Sequence, residues 1–371
     1  MPSHALHDIS HEIARRTVVH GSGLCLPRLL WFRALVVAAL VASVLVTWPL
    51  WGLRQRPPLL PAFDLPQAPL GLALIAASLA ALVAPRSGAI VVSVLLAYGM
   101  ATDQTRMQPE FFSLPLLLWG SLPSPGAQLV ARAHLVSMWF FAGLHKALSP
   151  AFLEDMGPRL IQSLPLPIPN GVVPLAVLGI IALEMGTALL AIVPRTRRIA
   201  AWAAFALHAG IFLTLSPLGE ARNSAVWPWN IALAFSGFAL IAPWKTGVVK
   251  TIAVAPPLPR VVAVALALIP ATFYAGIADA YPAHHLYSAG TARATVYCPV
   301  KCLPDQDLYA TWKFLNVPLP PEPRLFEGTF RAICQPGDVL RVIDPYPPPW
   351  SEGSGNEPHS CPSGSLTPAH P

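Results

Sequence analysis

Charge is what this sequence has least of. Of 371 residues, 24 are Lys or Arg and 18 are Asp or Glu, so only 11% carry charge, against roughly 25% in soluble domains. A chain that is 54% hydrophobic, with a mean hydropathy of +0.55, cannot cover itself with polar surface, which excludes an ordinary water-soluble domain. Other features are also missing. There is no basic stripe with interleaved aromatics, so nucleic-acid binding is excluded in spite of a net charge of +6. No phosphate loop, dinucleotide fingerprint or Ser-His-Asp order occurs. No small-residue cleavage site follows the first apolar run, and residues 1–28 are read as a cytoplasmic arm rather than a secretory signal. His4, His7 and His11 could share one face of that arm, but no second cluster completes a metal's coordination sphere.

What the sequence does hold is a series of apolar segments, near 29–52, 67–85, 88–102, 110–125, 127–147, 171–193, 199–217, 226–243 and 259–278. A regular span needs about 20 residues. The fourth segment is short and carries Pro115, Pro123 and Pro125, so a broken helix is expected there. Charge in the loops orders them. Arg86 and the triplet Arg195, Arg197 and Arg198 belong on the cytoplasmic side by the positive-inside rule, and an even number of crossings must separate them. Parity therefore requires the fourth segment to cross. The same rule puts Arg15, Arg16, Arg28, Arg132, Lys245, Lys250 and Arg260 inside, and leaves Arg54, Arg56, Arg106, Lys146, Arg159 and Arg222 outside. The expected fold is an all-α polytopic membrane helix bundle of about nine spans, residues 29–278, with a cytoplasmic N-terminus.

Residues 279–350 change character. ARATVYC and VLRVID alternate, and QPGD supplies turn chemistry, which predicts a small β-rich extracytoplasmic domain. From Ser351 the sequence loses all periodicity, and 351–371 is expected to be disordered. Four of five cysteines, Cys298, Cys302, Cys334 and Cys361, fall in this region, where an oxidising compartment permits disulfides. Three pairings are possible and sequence does not choose among them. Cys25 lies on the cytoplasmic side as a free thiol.

Polar residues inside apolar segments are costly and mark candidate sites. His134 and His145 are three turns apart on one helix face, and Lys146 follows His145, one turn after the small pair Ala142-Gly143. Lys146 has two readings: an interfacial anchor that snorkels to water, or a lysine serving a buried site. Glu184 and His208 each lie twelve residues from Thr196, the centre of a PRTRR turn. At nearly equal depth they can pair, either as structural glue or as a proton relay. A second polar level gathers His145 and Lys146 with Asn230 and, from the loop DQTRMQPE, Arg106. Trp227 and Trp229 are read as interface anchors in preference to stacking platforms. Asp103, Glu110, Glu154 and Asp155 are candidate counter-ions for Lys146.

AGLHKALSPAFLEDMG resembles the Ala-Gly-x-x-Lys segment of the horizontally transferred transmembrane (HTTM) domain family, which includes the vitamin K-dependent gamma-carboxylase. The likeness continues through LEMGTALLAIVPRTRRIAAWAAFALHAGIFLTLSP to NSAVWPWNIALAF, over roughly 90–245. It implies a membrane enzyme in which Lys146 acts as the base on a reduced quinone. His145, Glu184 and His208 would be further catalytic groups, and Arg106, Trp229 and Asn230 would sit at the cofactor. Arg106 replaces a histidine of the carboxylase, Phe152 replaces a tryptophan, and the outer domain is too small for a protein-substrate region. A quinone- or lipid-like substrate in a bacterial inner membrane is therefore expected in place of protein carboxylation. Expected partners are the lipid bilayer, a quinone or isoprenoid ligand, and a protein bound by the outer domain. The rival reading is a non-enzymatic membrane anchor or assembly partner acting through residues 279–350. A proton-coupled transporter ranks third, because no inverted repeat is visible.

Overall fold

A computed structural model describes residues 25–164, 167–299, 302, 307–350, 356 and 358–362. His4, His7, His11 and the rest of the expected arm up to residue 24 lie outside the described residues. Each of the nine apolar segments is a helix. They are α1 (Cys25–Val46), α2 (Gly71–Val83), α3 (Pro85–Thr102), α4 (Pro109–Gly120) and α5 (Pro125–Ala147). After the short α6 (Gly157–Gln162) come α7 (Val173–Ile192), α8 (Arg197–Leu215) and α9 (Trp227–Ser236). Beyond α10 (Val248–Val254) lies α11 (Pro257–Leu268). Among the described residues, five stretches are long and apolar enough to cross a bilayer, those of α1, α7, α8, α9 with its continuation to Ile241, and α11 with its continuation to Ala275. This is a multi-pass membrane protein. Its outward surface carries large apolar side chains such as Leu72, Leu175, Trp202 and Leu258, the arrangement that hydrocarbon solvent favours.

Prolines set the helix boundaries. Pro85, Pro109, Pro125 and Pro257 all stand in the first turn of their helices, where the missing N–H removes nothing the helix needs. Contrary to expectation, Pro115 does not break α4, which runs through it to Gly120. The break lies at Ser121–Ser124, and Ser124 then caps α5 by accepting from the Ala127 N–H at 3.5 Å. With 12 residues, α4 is about 18 Å long, shorter than the hydrocarbon core.

Two close approaches organise the bundle. Gly88 lies against the backbone of Ala81, where a β-carbon would come within 2.4 Å of Cα, and this closes the α2–α3 hairpin. Gly143 of α5 lies against α7, where a β-carbon would meet Met185 Cγ at 2.6 Å and Ile181 O at 3.1 Å. α5 sits centrally, touching α4, α7 and α11, while α8 packs between α7 and α9, and α9 reaches α1. At one end of the bundle the guanidinium groups of Arg132 and Arg197 flank Trp244, at 5.2 and 3.7 Å from its ring. Arg197 also donates to the carbonyls of Ala191, Trp244 and Thr246.

The other end carries the C-terminal domain. Strands β1 (Arg293–Tyr297) and β2 (Val339–Ile343) pair antiparallel, Arg293 opposite Ile343, and β3 (Pro358–Ser360) adds to the other edge of β2. The alternation seen in VLRVI is real: Leu340 and Val342 are buried, Arg341 and Ile343 exposed. Between the strands come α12 (Ala310–Leu315) and α13 (Pro323–Ile333), and α13 covers the buried face with Leu325, Phe326 and Phe330. Disulfides join Cys298 to Cys302 and Cys334 to Cys361, one of the three pairings that sequence allowed. Residues 358–361 correct the expected structureless tail: they form β3 and end in a bonded cysteine. The side chain of Cys25 lies outside the described residues. The domain is seated on the bundle by Asn316, which donates to Val46 O and Ser224 Oγ, and by Gln108, which donates to Pro318 O at 2.9 Å.

Candidate functional site: a helix-lined cavity with a buried ion pair

Between α3, α4, α5, α8 and α9 lies a cavity of about 420 Å³. Its walls are mainly carbon, from side chains such as Leu96, Phe112, Trp119, Met138 and Leu266. The chain between the last apolar helix and β1 closes it at the domain end, with Tyr281, His284 and Tyr287 facing in. Lys146, Glu184, His208, Asn230, His134 and Trp229 supply its polar groups.

Lys146 is buried, and its Nζ contacts both carboxylate oxygens of Glu184 at 2.8 and 2.9 Å. The close approach at Gly143, one turn earlier, brings α7 near enough for this pair. The expected Glu184–His208 pair does not form, because equal depth says nothing about azimuth and Glu184 faces α5. Nor do Asp103, Glu110, Glu154 or Asp155 neutralise Lys146. Asp103 pairs with Arg54, and Asp155 with Arg159. A bidentate carboxylate with the Phe152 ring 5.8 Å from Nζ leaves the cavity lined by a net-neutral pair, not by a free amine. Lys146 therefore does not snorkel to water.

His208 is held from two sides. Trp139 Nε1 donates to its Nε2 at 2.9 Å, and its Nδ1 meets Asn230 Oδ1 at 3.0 Å. Asn230 Nδ2 donates to Val226 O at 2.9 Å, which fixes the amide with its oxygen toward the imidazole. An indole N–H can only donate, so His208 is the neutral tautomer that carries its proton on Nδ1. Trp229 departs from the interface-anchor reading. It is buried, lines the cavity, and its Nε1 has no hydrogen-bond partner among the described residues. Trp227, by contrast, donates to Leu215 O at 3.1 Å.

Arg106 lies outside the cavity. It is fully buried beneath Trp51 and donates to Leu50 O, Gly99 O and Thr102 Oγ1. Its role there is to tie the loop after α3 to the end of α1. His145 stands behind the cavity wall: its Nε2 donates to Ala283 O at 2.8 Å and its Nδ1 accepts from Tyr274 Oη at 2.7 Å.

Sequence reasoning named His134 without a role and passed over the histidines and tyrosines that meet it. His134 faces the cavity, bonded through Nε2 to Ser113 Oγ at 2.8 Å, with Nδ1 unpartnered among the described residues. Its ring meets His284 at 5.3 Å, while His145 stacks on His285 at 4.3 Å. Thus the two histidines of α5 each meet one member of the YPAHH pair, and that doublet was the available signal. Burial pushes both His284 and His285 down, His285 to about 3, helped by the neighbouring His145. Burial likewise raises Tyr281 and Tyr287 well above the ordinary phenol range. His284, Tyr287 and Ala289 have φ of 64°, 54° and 57°, a left-handed conformation that costs energy in residues with a side chain and is found at functional segments. Glu110, at the start of α4, is buried with neither carboxylate oxygen partnered among the described residues. No group of three or more His, Cys, Asp or Glu side chains suited to a metal occurs among the described residues.

Residues 125–224 match the family described as methylamine utilisation protein MauE. No curated protein and no solved structure matches the chain. The match overturns the expected HTTM membership, and the carboxylase-like enzyme reading drawn from that resemblance falls with it. The matched segment runs from the start of α5 past the end of α8, and so contains Lys146, Glu184 and His208. What the comparison gives is a likeness to a membrane protein of methylamine utilisation over α5, α7 and α8, three of the helices that line the cavity.

Proposed function

We propose that this membrane protein binds a neutral, lipid-like molecule of the quinone or isoprenoid class in the cavity between its helices, in a MauE-like role that serves methylamine utilisation. The observation that carries the reading is the pairing of carbon walls with unsatisfied polar atoms. Trp229 and His134 line the cavity, and Trp229 Nε1 and His134 Nδ1 are buried in its wall with no hydrogen-bond partner among the described residues; an unmade hydrogen bond in a buried site costs about 1–3 kcal/mol. On this reading a small turn of the Trp229 ring lets the indole N–H donate to a ligand oxygen, which removes that cost. The ligand is neutral because Glu184 already compensates Lys146.

We further propose a bacterial inner membrane, an N-terminus in the cytoplasm and an outer C-terminal domain. Arg132 and Arg197 at one end of the bundle and two disulfides at the other support this orientation.

The test is mass spectrometry of small molecules that copurify in mild detergent with the wild type and with Ala142→Phe, which fills the cavity from α5. A neutral lipid retained by the wild type and lost from the folded variant is expected. Identical profiles from both would refute cavity binding. Loss of growth on methylamine in a strain without the gene tests the physiological half.

A further inference from the structure

The Lys146–Glu184 pair has a second apolar space on its other side. This chamber, of about 180 Å³, lies among α6, α7 and α8. It shares Lys146, Glu184, Leu207, Ile211 and Tyr287 with the main cavity. Two spaces with five lining residues in common are neighbours across a partition one side chain thick, and the ion pair is the polar part of that partition.

The two spaces differ in chemistry. The wall of the main cavity includes Trp229 and His134, each with a buried ring nitrogen that has no partner among the described residues. The walls of the smaller chamber are Phe152, Leu160, Ile180 and Leu183 together with the small residues Ala206 and Gly210. Of its hydroxyls, that of Thr214 already donates to Gly210 O at 2.9 Å and that of Tyr287 accepts from Asn223 Nδ2 at 2.6 Å. Nothing there asks for a polar partner, so a ligand gains from it only by burying hydrocarbon.

We propose that the smaller chamber is the tail site of the same ligand, the chain passing the Lys146–Glu184 partition while the head stays beside Trp229 and His134. The inference rests on the cavity reading above and narrows its ligand class. A compact apolar molecule would fill one space only, whereas a head joined to a linear hydrocarbon chain fills both. Ile211 and Leu207, on one face of α8, then touch the chain where it passes from one space to the other.

Gly210 provides the test. It lines the chamber, and a β-carbon built on it meets no atom within 4 Å, so Gly210→Phe can fill the space while removing a helix-weakening glycine. Ile180→Trp fills it from the opposite wall. The probes are a short-chain and a long-chain alkyl benzoquinone added to the full-length protein in mild detergent. Binding is read by quenching of tryptophan fluorescence, with Trp139 and Trp229 in the cavity wall as reporters, and affinities are corrected for partition into micelles. In the wild type the long-chain probe binds more tightly, by about tenfold for every two methylenes buried. Gly210→Phe and Ile180→Trp erase that preference and leave the short-chain affinity unchanged. A preference that survives in both folded variants overturns the tail site and leaves the head cavity standing. Loss of both probes in the folded variants also overturns it, since head and tail sites would then not be separable. Failure of either probe to bind the wild type refutes the cavity reading itself, and the tail site with it.

Discussion

Gly143 and Glu184 belong to different helices, yet a β-carbon on Gly143 would lie 3.1 Å from Glu184 Cβ. That proximity lets a lysine one turn further along α5 reach the carboxylate, so the ion pair depends on the absence of a side chain three residues before Lys146. Replacing Gly143 by Leu forces α5 and α7 apart against Met185 and Ile181. The expected result is a less stable bundle in which Lys146 becomes reactive to an amine-modifying reagent in detergent. Unchanged melting and an unreactive Lys146 would contradict the packing argument.

The ion pair itself makes an asymmetric prediction. Glu184→Gln leaves a buried cation without its counter-ion and should destabilise the protein by about 3–5 kcal/mol, whereas replacing both partners by apolar residues of similar size is near neutral. Thermal unfolding of Glu184→Gln, Lys146→Met and Lys146→Met/Glu184→Leu separates these cases. If the double variant is as unstable as the worse single one, the pair contributes more than mutual neutralisation.

Stability should also depend on pH through the segment that closes the cavity. Burial holds His285 near 3 when folded, against about 6.5 when exposed. Between those values the unfolded chain binds a proton that the folded chain does not, so stability falls as pH drops below about 6.5. Glu322 acts from the other direction. It accepts from the Ala280 N–H at 2.8 Å, and burial, with Asp279 nearby, raises it to about 8. From about 4.5 up to 8 the unfolded carboxyl ionises first, so stability falls as pH rises through that interval. His285→Asn should flatten the acid limb and Glu322→Gln the alkaline one, read as melting temperature against pH.

Cys361 holds the end of β3 against α13 through Cys334, a bridge that spans 27 residues. Its removal in Cys361→Ser should cost the C-terminal domain about 3–4 kcal/mol on the chain-entropy account. Limited proteolysis would then clip the chain after residue 350 while the helix bundle stays intact. An unchanged cleavage pattern would mean that β3 is kept in register by its pairing alone.

Much of the architecture was legible because bilayers impose few solutions. Nine apolar runs gave nine helices, and alternation in two short stretches gave the paired strands. The site was harder to read. Counting residues along the helices singled out Glu184, His208, Lys146 and Asn230, but it set the first two on one level and the last two on another, whereas all four line one cavity. Rotation about the helix axis does not follow from counting, so Glu184 was matched with His208 when Gly143 aims it at Lys146. Arg106 illustrates a different limit: its guanidinium is absorbed by three backbone carbonyls and the Thr102 hydroxyl around a loop that no periodicity describes. Tyr281, His284 and Tyr287 were missed because the segment that folds back over the cavity has no repeat of its own. The family likeness was misjudged because small-residue and apolar patterns recur in unrelated membrane bundles.

The closing segment has one more consequence. With Tyr281, Pro282, His284, Leu286 and Tyr287 lining the cavity on the domain side, the proposed ligand would exchange with the bilayer rather than with water. Occupancy is then set by mole fraction in the lipid, a two-dimensional concentration. Diluting a proteoliposome sample with buffer should leave a bound ligand in place. Adding plain lipid that fuses with those vesicles should empty the site, although the bulk concentration of the ligand is the same in both tubes.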